Sequence, residues 1–260
     1  MSQGHYARIA DRYDALVTTD ADIQFYVELA HQTTGPILEL MVGTGRVTLP
    51  LLASGAEVVA VDYSPEMLAR LREKITQSGF QAAIHLMDIR QLALDQTFPL
   101  ILIPFHAFPE ITDPVDQQQT LRAIRAHLAP GGRFICTLHN PAIRRRTIDG
   151  QLRLARRYHD EQRDVLVWLL EQDRGNDVVE VNEFFERYDG DGRLQERVWS
   201  SVTFHLLAKA AFEALIQSVG FEVVDLYGDY AKAPFDEQAS PFMIWVLRTP
   251  IAPEARDANS

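Results

Sequence analysis

The stretch that decides the fold is Ile37-Leu38-Glu39-Leu40-Met41-Val42-Gly43-Thr44-Gly45-Arg46, an apolar run that leads into a glycine turn. A short apolar run after a proline is typical of a buried strand, and residues 46–53 then show the apolar spacing of a helix. Gly43 and Gly45 have no Cβ and would let the backbone come close to a ligand. The stretch therefore predicts a strand, a ligand-binding turn and a helix.

Outward from this turn, the chain alternates apolar strands with helices. Ser64-Pro65-Glu66 and Asp113-Pro114 indicate helix starts, because a capping side chain precedes a proline at the first helical position. Apolar strands that alternate with helices indicate a parallel sheet covered on both faces. The predicted fold class is α/β, a doubly wound, seven-stranded, mostly parallel sheet of Rossmann-like type. Its strands are predicted at residues 37–42, 57–61, 82–87, 99–104, 133–138, 221–226 and 242–247.

The pattern changes after the fifth of these strands. Strand-like segments follow one another without helices, separated by turn sequences such as Arg174-Gly175-Asn176-Asp177. We expect an antiparallel β-sheet inserted here, as a lid or substrate subdomain over residues 141–206. Residues 1–140 and 207–250 then form the main domain, which begins with two helices before the first strand, and residues 251–260 form a flexible tail. The inserted strands are predicted at residues 152–159, 165–173, 178–188 and 194–206.

Composition narrows the function classes. The 260 residues carry a formal net charge of −11, which argues against a nucleic-acid partner, since phosphates are met by a basic surface. No apolar run approaches the ~18 residues of a membrane span, and the first ten residues do not form a secretory signal. The single cysteine, Cys136, cannot form an intramolecular disulfide. We expect a cytoplasmic protein without a membrane partner.

Two acids follow the next two strands in order. Asp62 ends the second strand and could accept the hydroxyls of a ribose, while Asp88 ends the third and could accept the amino group of an adenine. Each acid alone is equally well a helix cap. A dinucleotide turn, G-x-G-x-x-G, would place glycine where Thr48 stands. A nicotinamide-dependent oxidoreductase is therefore disfavoured but stays open, as does a non-catalytic nucleotide-binding regulatory protein.

Four motifs together resemble a known family. Residues 39–45, ELMVGTG, are similar to a first motif that usually reads ELGCGTG, with Met41 in place of its first glycine. Residues 59–68, VAVDYSPEML, match the second motif, and Met87-Asp88-Ile89 and Pro130-Gly131-Gly132 match two later ones. The chain resembles the class I S-adenosylmethionine (SAM)-dependent methyltransferases, in the small-molecule group that includes glycine/sarcosine and amino-sugar N-methyltransferases.

The resemblance implies S-adenosyl-L-methionine as the cofactor. Glu39 and the glycine turn would hold its methionine part, Asp62 its ribose, and Asp88 with Ile89 its adenine. Arg46 could pair with the cofactor carboxylate, or equally be a solvated residue of the first helical turn. The cofactor-binding residues so predicted are Tyr13, Glu39, Gly43, Gly45, Arg46, Asp62, Tyr63, Met67, Asp88, Ile89 and Pro104.

The acceptor site is expected after the fourth and fifth strands. His106 and His139 are the candidate general bases, since histidine can exchange protons near neutral pH. The candidate substrate contacts are Phe105, Asn140, Tyr230 and Phe235. No set of side chains has the spacing of metal ligands on a single element. The predicted function is methyl transfer to nitrogen or oxygen of a small-molecule acceptor, with the inserted sheet a candidate surface for a homodimer.

Overall fold

Two β-sheets organise the protein, and the computed structural model describes residues 3–160 and 163–250. The predicted flexible tail, residues 251–260, lies outside the described residues. The strands are β1 Ile37–Leu40, β2 Val58–Asp62, β3 Ala83–Leu86, β4 Phe98–Ile103, β5 Leu128–His139, β6 Leu152–Asp160, β7 Arg163–Asp173, β8 Val178–Tyr188, β9 Leu194–His205, β10 Glu222–Tyr227 and β11 Phe242–Arg248.

The helices begin where the sequence supplies caps. The Ser64 hydroxyl accepts the amide N–H of Met67 at 3.3 Å, and Asp113 accepts that of Val115 at 2.7 Å, so both predicted starts are confirmed. The α-helices are α1 Gln3–Ile9, α2 Tyr13–Leu16, α3 Ile23–His31, α4 Thr48–Ala53, α5 Pro65–Gln77, α6 Pro114–Ala126, α7 Pro141–Arg144 and α8 Lys209–Ser218. Short 3-10 helices occupy Ile89–Gln91, Phe108–Glu110 and Arg145–Thr147.

The larger sheet has the strand order β10-β11-β5-β4-β1-β2-β3. Strands β1 to β5 are parallel, whereas β11 is antiparallel to both of its neighbours. The doubly wound, mostly parallel α/β sheet is therefore confirmed. Because the order of connection reverses between β1 and β4, their carboxyl ends form the crevice in which such sheets bind ligands.

The smaller sheet is the antiparallel meander β6-β7-β8-β9, which confirms the insertion after the fifth strand. Val165, Val167 and Phe185 of this sheet pack in one apolar cluster with Ile9 of α1 and Met67 of α5. The Arg12 guanidinium also pairs with Glu196 on β9 at 2.9 Å. The inserted sheet is therefore held over the main domain by the N-terminal helices.

Two local predictions were wrong. The region before β1 contains three helices, because α2 is a separate short turn between α1 and α3. Strand β5 begins at Leu128 instead of residue 133, because Leu128 pairs with Phe98 before an irregularity that Gly131 accommodates at φ 74°. Over the described ranges, 3–160 and 163–250, the helices are too short or too polar to cross a membrane.

Candidate active site

Asp62 holds the glycine turn in place. One of its carboxylate oxygens accepts the amide N–H of Gly43 at 2.8 Å, and the other accepts that of Ser64 at 2.9 Å. Gly43 adopts φ 56°, a left-handed conformation that glycine reaches at low cost. The backbone of Tyr63 supplies a third hydrogen bond to this carboxylate, which has about four acceptor positions and so keeps capacity for a further donor. Asp62 thus joins the ends of β1 and β2 and still presents an acceptor surface.

Gly45 serves packing rather than ligand approach. It adopts φ 88°, and a Cβ built on it would lie 2.3 Å from the Cδ1 atom of Leu71. The space that a side chain would need is therefore filled by α5. The sequence-based expectation of close ligand contact fits Gly43, whereas Gly45 does not line the cavity described below.

Met41 shows why the related first motif carries glycine at this place. Its φ is 58°, in the left-handed region that ordinary side chains enter at a cost of about 1–2 kcal/mol. The backbone path of the glycine motif is therefore kept despite the methionine. The side chain is partly buried and packs against the core, and it lines the cavity.

A cavity of about 520 Å³ opens at the carboxyl ends of β1, β2, β4 and β5. This volume lies within the range of sites for small molecules and cofactors. The N-terminal helices and the inserted sheet complete its walls, through residues such as Leu16, Val181 and Phe204. The predicted site residues that line it are Tyr13, Glu39, Gly43, Arg46, Asp62, Tyr63, Met67, Pro104, Phe105, His106 and His139.

Glu39 lies on β1 beneath the turn and is 1 % exposed. Burial raises the pKa of its carboxyl to about 8, against the opposing effect of a hydrogen bond that the Thr48 hydroxyl donates at 2.7 Å. Thr48, which stands where a dinucleotide turn has glycine, therefore orients this acid. The arrangement leaves one Glu39 oxygen without a protein donor among the described contacts.

Arg46 is not a solvated residue. Its guanidinium donates two hydrogen bonds to Asp22, at 2.5 and 2.6 Å, and lies 4.4 Å over the ring of Phe105. Asp22 raises the pKa of the guanidinium above its ordinary value despite burial. The cation is thus fixed at the rim of the cavity, where it can face a carboxylate.

His106 and His139 lie together in the cavity wall. Their rings stack with centroids 3.9 Å apart, and the Nδ1 atom of His106 is buried without a hydrogen-bond partner. Burial lowers the pKa of His139 to about 3 and that of His106 well below its ordinary value. Neutral imidazoles suit hydrogen bonding better than proton uptake at neutral pH, so the base role stays a prediction that these shifts disfavour.

The remaining predicted residues lie outside the cavity lining. Asp88 caps the 3-10 helix that follows it and pairs with Arg90, and Ile89 is buried in the core. Asn140 donates to the carbonyl oxygens of Glu237 and Ser240, at 2.8 and 2.7 Å. The predicted ligand contacts of Asp88, Ile89 and Asn140 stay predictions. So do those of Tyr230 and Phe235, two aromatic residues that pack against the core.

Known proteins show the same domain. The family model described as a methyltransferase domain matches residues 37–132. A demethylmenaquinone methyltransferase of Thermus thermophilus is 34% identical over 50% of this chain and 62% of its own length. A glycine/sarcosine N-methyltransferase of Halorhodospira halochloris is 27% identical over 91% of this chain and 85% of its own length. An S-adenosylmethionine-dependent methyltransferase of Clostridium acetobutylicum shares the fold with TM-score 0.78 and 21% identity, over 94% of this chain and 98% of that one.

Residues 37–132 match the methyltransferase domain, and the chain is similar to class I SAM-dependent methyltransferases. The predictions of a methyltransferase and of S-adenosyl-L-methionine as its cofactor are confirmed at this level. The chain spans less than two thirds of the length of the first two curated relatives it matches, 62% and 36%. Its acceptor therefore has to be argued from its own cavity.

The donor set of the cavity fits this cofactor. SAM carries two cationic centres, a carboxylate, a ribose diol and an aromatic base. Glu39 and Asp62 supply carboxylates, and Arg46 supplies a fixed cation at the rim. The rings of Tyr6, Tyr13 and Tyr63 also line the cavity, with the Tyr6 ring 6.2 Å from that of Tyr13 and 6.3 Å from that of Tyr63.

The methyltransferase cavity also contains residues that sequence reasoning missed. Tyr6 and His5 lie on α1, Glu110 ends a 3-10 helix after β4, and Glu183 lies on β8. The Tyr6 hydroxyl donates to Glu110. None of these residues belongs to a cofactor motif, and their elements are distant in the chain. The signal that could have found Glu183 is an acid at an inward-facing position of an alternating strand.

Three buried acids make stability depend on pH. Burial raises the pKa of Glu39, Glu110 and Glu183 from 4.5 to about 8, 7 and 8. On these three acids the folded state binds more protons than the unfolded state between about pH 4.5 and 8. Burial of His5, His106 and His139 has the opposite effect below about pH 6.5, because it lowers the pKa of each imidazole. The ligand-free protein should therefore lose stability as pH rises from about 6.5 to 8, by about 1.4 kcal/mol per pH unit for each acid inside its window. Urea unfolding at pH 6.5, 7, 7.5 and 8 measures the slope, and a stability that rises over this range would contradict the three shifts.

Proposed function

We propose that the protein is a cytoplasmic enzyme that transfers a methyl group from SAM to a nitrogen or oxygen atom of a small-molecule acceptor. The observation that carries this proposal is the cavity itself, which continues from the glycine turn to a wall built by the inserted sheet. Leu169, Val181, Val202 and Phe204 of that sheet line it. A wall of this kind encloses a small molecule, whereas a macromolecular acceptor needs an open groove.

The proposed cofactor site lies at the main-domain end of the cavity. Asp62 would hold the ribose while it keeps its backbone donors, and Glu39 would face the methionine part. Arg46 would attract the cofactor carboxylate, since a guanidinium suits bidentate contact with carboxylates. The predicted adenine contacts of Asp88 and Ile89 belong to the same proposal, and they require Asp88 to keep an oxygen free beside Arg90.

When bound, SAM supplies a methyl group activated by the positive charge of its sulfur. The protein's part is to bind, orient and exclude water. Asp14 fixes helix α2 against the main domain, because it accepts the Thr44 hydroxyl at 2.5 Å and pairs with Lys74. Tyr13, the preceding residue, is thereby held against the glycine turn. Holding two reactants in line can contribute on the order of 7–11 kcal/mol to the rate.

The inserted segment, residues 141–206, is proposed as the substrate subdomain on a main domain of residues 1–140 and 207–250. Arg144 and Glu171 support this assignment, because they form an ion pair that lines the cavity beside His139. The glycine/sarcosine N-methyltransferase that aligns with 91% of this chain favours nitrogen as the acceptor atom. A homodimer through the inserted sheet stays a prediction.

Calorimetry with SAM, S-adenosylhomocysteine and NADH tests the proposal. We expect the two sulfur nucleosides to bind with micromolar dissociation constants and NADH not to bind. A screen of amines and hydroxylated metabolites, read as S-adenosylhomocysteine released, then finds the acceptor. Binding of NADH in preference to SAM would contradict the proposal, and so would the absence of any SAM binding.

A further inference from the structure

Two carboxyl groups in the cavity each have one oxygen without a hydrogen-bond partner. Among the described residues, the Oε2 atoms of Glu110 and Glu183 are buried and make no hydrogen bond. Glu183 is 7 % exposed, and both residues line the cavity. A buried carboxyl oxygen without a partner costs free energy, and native proteins retain such groups mainly where function requires them. A ligand that supplies the missing donors would remove the cost.

The neighbouring histidine, His5, does not supply a positive charge or a proton to the carboxyl group of Glu183. The Nε2 atom of His5 lies 3.9 Å from its Oε2 atom, beyond hydrogen-bond distance. Burial lowers the pKa of His5 to about 4, so this imidazole is neutral near pH 7. The Ser200 hydroxyl donates to the backbone carbonyl of His5 at 3.3 Å, which leaves the Nδ1 atom of His5 as donor to Ser200 at 2.7 Å. Nε2 then carries a lone pair and has no proton to offer Glu183.

The two acids come from different layers of the protein. Glu110 ends the 3-10 helix after β4, and Glu183 lies on β8, whose neighbour β9 packs against that helix. The charge of Glu110 raises the pKa of Glu183, and the charges of both acids raise the pKa of the Tyr13 hydroxyl. The pair is therefore assembled only when the inserted sheet covers the main domain.

We infer that Glu110 and Glu183 together bind the cationic nitrogen of the methyl acceptor, and that this pair selects amines over alcohols. The inference rests on the proposed function, because it assigns the acceptor end of the same cavity. An ammonium group offers up to three donors, which matches two carboxyl groups that each have an open oxygen. A neutral hydroxyl offers one donor and leaves the second acid unpaired.

Charge and proton balance support this assignment. The titratable groups that act on the pair are His5 and Tyr6 from α1, Tyr13 from α2, and Asp62 and Tyr63 from the end of β2. The residues opposite Glu183 on the neighbouring strands, Leu169 and Ser200, carry no charge. Because burial raises both pKa values, to about 7 and 8, an incoming ammonium group should displace protons from the pair. It then has to give one of its own protons to a carboxylate of the pair before its nitrogen has a lone pair for the methyl group.

The rest of the site indicates the body of the acceptor. Val181, Val202 and Leu169 line the cavity as aliphatic side chains, and Phe204 adds an aromatic face. This apolar wall lies on the same sheet as Glu183. A compact aliphatic or alicyclic amine therefore suits the site better than a highly charged one, and cyclohexylamine and cyclohexanol form a matched pair of probes.

The experiment measures binding of these two probes to the full-length protein saturated with S-adenosylhomocysteine. In the wild type we expect cyclohexylamine to bind about tenfold tighter than cyclohexanol or more, with release of protons seen as a buffer-dependent binding enthalpy. Glu110→Gln and Glu183→Gln should each bring the two affinities close to parity and reduce the proton release. The same substitutions should leave the melting temperature unchanged or raise it, since each replaces a buried acid that has one oxygen without a partner, and the Glu110→Gln side chain would keep an oxygen that can accept from Tyr6.

Glu186→Gln is the matched control, because Glu186 is a buried acid on the same strand that already accepts from Trp168, Tyr188 and Arg197. It should keep the amine preference. Equal binding of both probes to the wild type, or no amine binding, would overturn the inference. Loss of S-adenosylhomocysteine binding in the two pair variants would assign the acids to the cofactor and also overturn it. Failure of the proposed function is distinct, because the wild type would then bind no S-adenosylhomocysteine.

Discussion

Asp62→Asn is expected to lower the affinity for SAM by at least about 100-fold. Asparagine has one acceptor oxygen where aspartate has two, so its NH₂ group would face either the Gly43 or the Ser64 amide N–H. The turn and the ribose contact would then both lose a charge-assisted hydrogen bond, and each such bond contributes about 1.5–3 kcal/mol. The loss should appear in the calorimetric dissociation constant and, to a smaller extent, in the free energy of unfolding.

Asp113→Asn is the matched control for this prediction. Asp113 also accepts two backbone N–H groups, from Val115 and Asp116, but it caps α6 outside the cavity. Asparagine is as good an N-cap as aspartate, so this variant should bind SAM like the wild type. An Asp62→Asn protein that binds SAM within a factor of three of the wild type would show that Asp62 does not hold the cofactor.

Gly45→Ala is expected to lower the free energy of unfolding by about 2–5 kcal/mol. The residue sits at φ 88°, where a side chain costs about 1–2 kcal/mol. The new methyl group would also lie 2.3 Å from the Cδ1 atom of Leu71, a residue that is fully buried. Overpacking of this kind costs a further ~1–3 kcal/mol. Urea unfolding at constant pH measures the sum.

Gly55→Ala separates the two contributions. Gly55 also has φ 88°, but a Cβ built on it meets nothing within 4 Å. Its substitution should show the backbone cost alone, about 1–2 kcal/mol. In a Leu71→Ala background, Gly45→Ala should lower the free energy of unfolding by the backbone cost alone, because the Cδ1 atom that the new methyl group would meet is absent. If Gly45→Ala and Gly55→Ala cost the same, the packing argument for Gly45 is wrong.

The fold was largely predictable because its signals are local. The apolar run before Gly43, the capped helix starts at Ser64 and Asp113, and the turn sequences of the inserted sheet each depend on a few neighbouring residues. Element ends were less accurate, as at Leu128, because strand pairing with a distant partner decides where a strand begins. The number of N-terminal helices was also missed, since α2 is only four residues long and has no buried face.

Site residues could be predicted from the sequence only where they belong to the motifs that follow successive strands. Eleven of the predicted residues line one cavity, because the carboxyl ends of parallel strands meet at one edge of the sheet. Asn140 and Tyr230 lie outside it because hydrogen bonds and core packing engage them elsewhere. Arg46 could not be assigned from sequence, since its partner Asp22 belongs to a different helix region.

By itself, the sequence determined the doubly wound sheet, the inserted antiparallel sheet, the methyltransferase family and the place of the glycine turn. These depend on periodicity, capping and short motifs, which act between near neighbours. Only the tertiary structure brought Glu110 and Glu183 to one cavity and left one oxygen of each without a partner. It also placed Leu71 against Gly45 and stacked His106 on His139. Burial and the partners of a side chain arise from elements distant in the chain, and they decide what the acids around the Gly43 turn can bind.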